Sequence, residues 1–155
     1  MKSSDKGDIV SNPKARRDYH IVETFEAGIV LRGTEVKTLR EGKAQISEAF
    51  AKVDSKGEVF LHNAHIDEYN FGNRTNHLPK AVRKLLLHRS EIRKLAALSA
   101  QKGHALIPLS MHWKNGKVKV LLAVGTGKAE YDKRDDIRKR EADREVRRIS
   151  KMRHS

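Results

Sequence analysis

The feature that most constrains this chain is the short segment Lys114-Asn115-Gly116, set between two long apolar stretches, Ala105 to Trp113 and Lys117 to Val124. Asn-Gly flanked by alternating hydrophobic residues is the strongest short-range hairpin signal, because both residues accept the positive φ that a two-residue turn demands. A hairpin that long has to bury one face, so the rest of the chain must supply a partner sheet. Strand-forming segments are present for this. Tyr19 to Phe25 and Ile29 to Arg32 read as strands joined across Glu26-Ala27-Gly28, where glycine can turn the chain. Ile46 to Val53 and Val59 to Ala64 read as two more, with Asp54 to Gly57 as their turn. Helices are few. Thr34 can cap a short one over Glu35 to Glu41, stopped by Gly42. Ser90 can cap another from Glu91 to Lys102 that ends at Gly103, with Ile92, Leu95, Ala96 and Ser99 on one face. About six strands and little helix in a domain of this size predict a small closed or partly closed antiparallel β-barrel.

Charge then indicates what the barrel meets. The formal net charge of the 155-residue chain is +13, which predicts attraction to polyanions. Its distribution is uneven. Residues 74–127 hold eleven Lys or Arg against one acid, Glu91, whereas residues 21–73 hold six bases and nine acids. One part of the domain is thus basic and another slightly acidic, a pattern that favours a directed face over general stickiness. Within the basic part, Lys117 and Lys119 alternate with Val118 and Val120, so a strand there would carry both lysines on one side. An edge strand protected by lysine would look the same. Arg83 and Lys84 precede the apolar run Leu85 to Leu87, and Asn12-Pro-Lys14-Ala-Arg16-Arg17 offers a cationic arm that reads equally as a solubilising segment.

Catalysis finds no support. His62 and His65 stand three apart, which on a strand sends them to opposite faces, and no nucleophile elbow, phosphate loop or histidine metal motif is present. With no cysteine there is neither a disulfide framework nor a thiolate metal site. No enzymatic activity and no cofactor are expected. No stretch has the roughly 20 apolar residues that a membrane span needs, and the N-terminus lacks an apolar leader core, so the natural address is the cytoplasm. Aromatic residues make up only 5% of the chain, which favours recognition of a folded RNA by shape and backbone over a ring-lined single-strand groove.

Taken together, Phe25-Glu-Ala-Gly28, Gly33-Thr-Glu-Val-Lys37, Arg83-Lys-Leu-Leu-Leu87, Gly116-Lys-Val-Lys-Val120 and Asp132-Lys-Arg134 stand in the order and spacing of one family. From about Asn12 into the tail, the chain resembles the SsrA-binding proteins. The resemblance implies an oligonucleotide-binding-type β-barrel with a few short helices and a basic C-terminal tail. It implies as partners the tRNA-like domain of transfer-messenger RNA and the stalled ribosome with its small-subunit rRNA, met by a monomer with no membrane role. It places RNA contacts at Asn12, Glu26, Leu86 and Lys119, with Lys37 and the loop around Asn76 beside them. Lys14, Arg16, Arg17, Arg83 and Lys84 complete the expected RNA-binding set. In the tail, Lys128, Tyr131, Asp132, Lys133 and Arg134 are the expected ribosome contacts. Arg17, Thr126 and Ala129 depart from the family, which usually has histidine at the first position and lysine at the others. A generic RNA-binding protein or chaperone with the same barrel is the alternative reading.

The expected organisation has three parts. Residues 1–18 form a flexible arm and residues 19–124 the barrel. Residues 125–155 form a tail that is disordered alone and helical on the ribosome, entered through a hinge at Gly125-Thr-Gly127. That tail carries eleven bases and seven acids, with acid-first pairs four apart such as Asp135 and Lys139.

Overall fold

The computed structural model describes residues 7–70, 76–128 and the single positions 138, 140, 141 and 144. Its elements, in chain order, are β1 (Asp8–Ser11), α1 (Pro13–Asp18), β2 (Tyr19–Ile29), α2 (Gly33–Arg40), β3 (Ala44–Gln45), β4 (Phe50–Val53) and β5 (Val59–His62). They continue with β6 (His65–Ile66), β7 (Arg83–Leu86), α3 (Arg89–Ser99), β8 (His104–Lys114) and β9 (Lys117–Gly127).

The expected hairpin is the backbone of the fold. Strands β8 and β9 are joined through Asn115 at φ 53° and Gly116 at φ 75°, the left-handed pair that such a turn requires. Their ladder runs from Lys114–Lys117 to His104–Thr126. β2 pairs along the other side of β9, and the order then continues β2–β7–β5–β4. β4 returns to β8 at Ala51–Leu106, so six antiparallel strands close on themselves, and β1 adds a short extra strand on β8. Closure removes the exposed edges that an open sheet would present.

Inside the barrel, inward residues of every strand meet. Ala27, Val59, Leu61, Leu85, Met111, Val120 and Leu122 are buried there, and Leu95 closes the cluster from α3. A second small cluster lies outside the sheet, where Ala15 of α1 covers Ile107, Leu109 and Ala123. Full burial of each large aliphatic side chain contributes about 1.5–3 kcal/mol.

Several expectations need correction. Residues 8–18 are not a flexible arm. They form β1 and α1 because Asn12 caps the helix, with Pro13 at its first position where a missing N–H costs nothing. Residues 26–28 do not turn the chain, since β2 runs unbroken through them. Gly125 to Gly127 are not a hinge. They are the last residues of β9, paired with β2 and β8. Thr34 and Ser90 lie within α2 and α3, which begin at Gly33 and Arg89.

Candidate nucleic-acid interface

The interface is built by strand alternation. On β7, Arg83 and Leu85 point inward and Lys84 and Leu86 outward. On β9, Val118 and Val120 are buried, while Lys117 and Lys119 project outward. β2 lies between these strands, and Gly28 is the in-register partner of Leu86 on one side and of Lys119 on the other. Lys119 in turn pairs with His112 of β8. Leu86, Gly28, Lys119 and His112 therefore form one row across four strands. The missing side chain at Gly28 matters here. A Cβ at that position would stand 3.3 Å from the Leu86 Cβ and 3.6 Å from the Lys119 Nζ, so glycine lets the leucine and the ammonium lean together over bare backbone.

Two residues along β2, Glu26 faces the same side. Its carboxylate accepts hydrogen bonds from Lys114 Nζ at 3.0 Å and from His112 Nε2 at 3.3 Å. The Lys114 ammonium holds the Glu26 carboxyl below the usual glutamate range; partial burial opposes this, and the bond from His112 adds to it. Glu26 is thus an oriented acceptor, ionised at neutral pH, among cations. Leu86 is 51% exposed, an unusual state for a leucine in the middle of a sheet. Among the described residues Lys119 enters no ion pair. Glu26, Leu86 and Lys119 stand at the edge of a groove of about 740 Å³ whose lining includes Trp113, Leu87 and Lys117. An exposed apolar side chain, an unpaired cation and a fixed carboxylate can respectively pack on a base or sugar, meet a phosphate, and accept from a base amino group or a 2′-hydroxyl.

The family model described as SmpB protein matches residues 9–152. The chain belongs to the SmpB family. It is 56% identical to the SsrA-binding protein of Geobacillus sp. (strain WCH70) over 94% of this chain and 93% of that one. The SsrA-binding protein of Thermobifida fusca is 53% identical over 98% and 97% of the two chains. A solved chain from the structure described as "tmRNA-SmpB: a journey to the center of the bacterial ribosome" superposes with a TM-score of 0.66. It is 46% identical, and the match covers 77% of this chain and 83% of that one.

The other positions expected to bind RNA in an SmpB-family chain divide sharply. Asn12 is buried: its side-chain amide donates to Pro108 O at 2.9 Å and Ile46 O at 3.2 Å, and its oxygen caps Ala15 N. It ties α1 to the barrel. Arg83 is buried as well. Its guanidinium pairs with the Glu35 carboxylate and donates to Ala64 O at 2.8 Å and Pro79 O at 3.0 Å. It is an internal strut that ties β7 to the carbonyls of residues 64, 78 and 79, because its place in the strand alternation points it inward.

Lys84 is exposed, 3.7 Å from Glu58. Lys14 pairs with Glu48 at 2.9 Å, and Arg16 and Arg17 are exposed on α1. Lys37 lies over the Tyr69 ring at 5.4 Å, and Asn76 brackets the Tyr69 backbone, donating to its carbonyl at 2.8 Å and accepting from its N–H at 3.2 Å. Lys37, Tyr69 and Asn76 are thus one local unit. Lys128 is exposed just beyond β9. Tyr131, Asp132, Lys133 and Arg134 lie outside the described residues. Among the described residues no three His, Asp or Glu side chains gather as a metal site, and His65 pairs with Asp67 at 2.9 Å.

Sequence reasoning missed Glu35, His112, Lys114 and Trp113. Glu35 has a visible signal: it belongs to one of the five family motifs and its partner Arg83 to another. His112 and Lys114 are traceable once β8 and β9 are set in register, since His112 then falls opposite Lys119 and Lys114 opposite Lys117. Trp113 left no signal beyond its position next to the turn.

Proposed function

We propose that this chain is the RNA-binding adaptor of trans-translation. It holds the tRNA-like domain of transfer-messenger RNA on the face of β7, β2 and β9 and delivers it to stalled ribosomes in the cytoplasm. The observation that carries the placement is the row Leu86–Gly28–Lys119 with Glu26 beside it. There, an exposed leucine, a lysine outside any described ion pair and an oriented carboxylate share one surface. Lys119 and Lys117 meet phosphates, Leu86 packs on an exposed base or sugar, and Glu26 accepts from a base amino group or a 2′-hydroxyl. The chain makes and breaks no bond. Its work is recognition and delivery.

The tail, residues 128–155, serves the ribosome, where it folds in the vacant mRNA channel. Tyr131 stacks on rRNA, while Lys133 and Arg134 meet phosphates. Removal of residues 131–155 tests this division. The truncated protein keeps its affinity for the tRNA-like domain and loses rescue of stalled ribosomes. Loss of RNA binding together with rescue would place the tail in the RNA site and overturn it.

A further inference from the structure

Two residues along β7 from Leu86, Lys84 begins a second outward row, which crosses β5 to β4. On β7 the alternation places Lys84 and Leu86 outside, and Val82, just before the strand, is 55% exposed. On β5, Val59 and Leu61 are fully buried, so Phe60 and His62 project outward. Phe60 is in register with Lys84 on one side and with Lys52 of β4 on the other. The neighbouring pair, Phe50 and His62, is a stacked couple with ring centroids 5.2 Å apart and planes 8° from parallel, and Lys52 Nζ lies 5.4 Å from the Phe50 centroid. Phe60 is different. Half-buried and facing outward, it is stacked on no other ring among the described residues, and it has a lysine on each side.

We propose that this face is a base-stacking platform, on which Phe60 receives one unpaired base of the bound RNA while Lys52 and Lys84 hold the flanking phosphates. The proposal rests on the RNA-adaptor reading above, and it extends that surface from β2 and β7 across β5 to β4. The chemistry is selective for an unpaired nucleotide. A duplex keeps its base faces stacked on one another, whereas a splayed base offers an open π-face to an aromatic ring. The two lysines stand on strands that flank β5, so their backbones are roughly 10 Å apart and straddle the ring. Glu58, 3.7 Å from Lys84, partly neutralises that cation in the free protein and gives way to phosphate when RNA arrives. Few aromatic residues in the chain as a whole do not count against this, because one platform needs only one accessible ring.

The test uses the full chain and the tRNA-like domain of transfer-messenger RNA as probe. Ultraviolet crosslinking followed by mass spectrometry should place RNA on the peptide that contains Phe60. Phe60→Leu should weaken binding about tenfold, equivalent to about 1.4 kcal/mol. Phe60→Tyr should bind as the unaltered chain does, and neither change should alter the salt slope. The double variant Lys52→Ala, Lys84→Ala should flatten the slope of log affinity against log salt by about two. Thermal melts of each variant separate loss of binding from loss of fold, and the crosslink on the unaltered chain needs no variant at all. Absence of a crosslink on β5, or a folded Phe60→Leu protein of unchanged affinity, overturns the platform. Lys119→Ala, measured in parallel, separates the two ideas: if it weakens binding and Phe60→Leu does not, the platform falls and the adaptor face stands. If neither does, both fall.

Discussion

The guanidinium of Arg83 lies inside the protein against the carboxylate of Glu35, both side chains almost fully removed from solvent. Glu35 also accepts the Arg32 N–H at 2.7 Å, so the pair joins the start of α2 to β7 and to the carbonyls of residues 64 and 79. A buried pair of this kind is costly to break, because the surviving charge is left without a partner. Arg83→Ala should therefore lose about 3–5 kcal/mol of stability in urea or thermal denaturation. Replacing both partners, with Glu35→Leu and Arg83→Met, should recover much of that loss. If Arg83→Ala left stability intact but lowered RNA affinity, Arg83 would be a contact residue after all.

Thr126 gives a prediction of opposite sign. Its side chain is 4% exposed, and its hydroxyl has no hydrogen-bond partner among the described residues. An unsatisfied buried hydroxyl is destabilising, so Thr126→Val, which keeps the shape and suits a strand, should raise stability by about 1 kcal/mol. Denaturation of the two proteins side by side measures it. A loss of stability would mean that the hydroxyl is satisfied in solution.

Glu26 allows a check by titration. Its carboxyl is held below the ordinary glutamate value of 4.5, chiefly by the hydrogen bond from Lys114. A depressed folded-state value means that the ionised carboxylate stabilises the fold at neutral pH, and that this contribution is lost as pH falls through the lowered value. Lys114→Ala should move the Glu26 titration upward, toward the ordinary range, as followed by carboxyl NMR. No movement would show that Lys114 does not hold the carboxylate in solution.

Much of the fold was legible because its strongest signals are local. Asn115-Gly116 fixed the longest hairpin, Gly57 ended the β4–β5 turn at φ 79°, and the alternation of Lys117, Val118, Lys119 and Val120 gave both faces of β9. The errors arose where one local cue had two readings. Gly28 can make a turn, but here it clears space beside Leu86, and only the register of three strands distinguishes the two uses. Asn12 before Pro13 is a helix-cap signature, but residues 1–18 are polar and almost without large apolar groups, a composition that reads as a flexible arm. Arg83 beside Lys84 looked like a cationic pair, yet the period of two that placed Lys119 correctly also turns Arg83 inward. Glu26, Leu86 and Lys119 were legible as a set only through the family motifs. Nothing in their separation along the chain brings β2, β7 and β9 together.

The adaptor function requires one surface of the barrel to prefer one RNA. Binding of the full chain to the tRNA-like domain of transfer-messenger RNA, titrated against an unrelated hairpin of equal length at several salt concentrations, tests this directly. The double variant Glu26→Ala, Lys119→Ala belongs in the same series. The account predicts a strong preference for the tRNA-like domain that falls steeply with salt and is lost in the variant. Equal affinity for both RNAs, or a variant that discriminates as well as the unaltered chain, would contradict it.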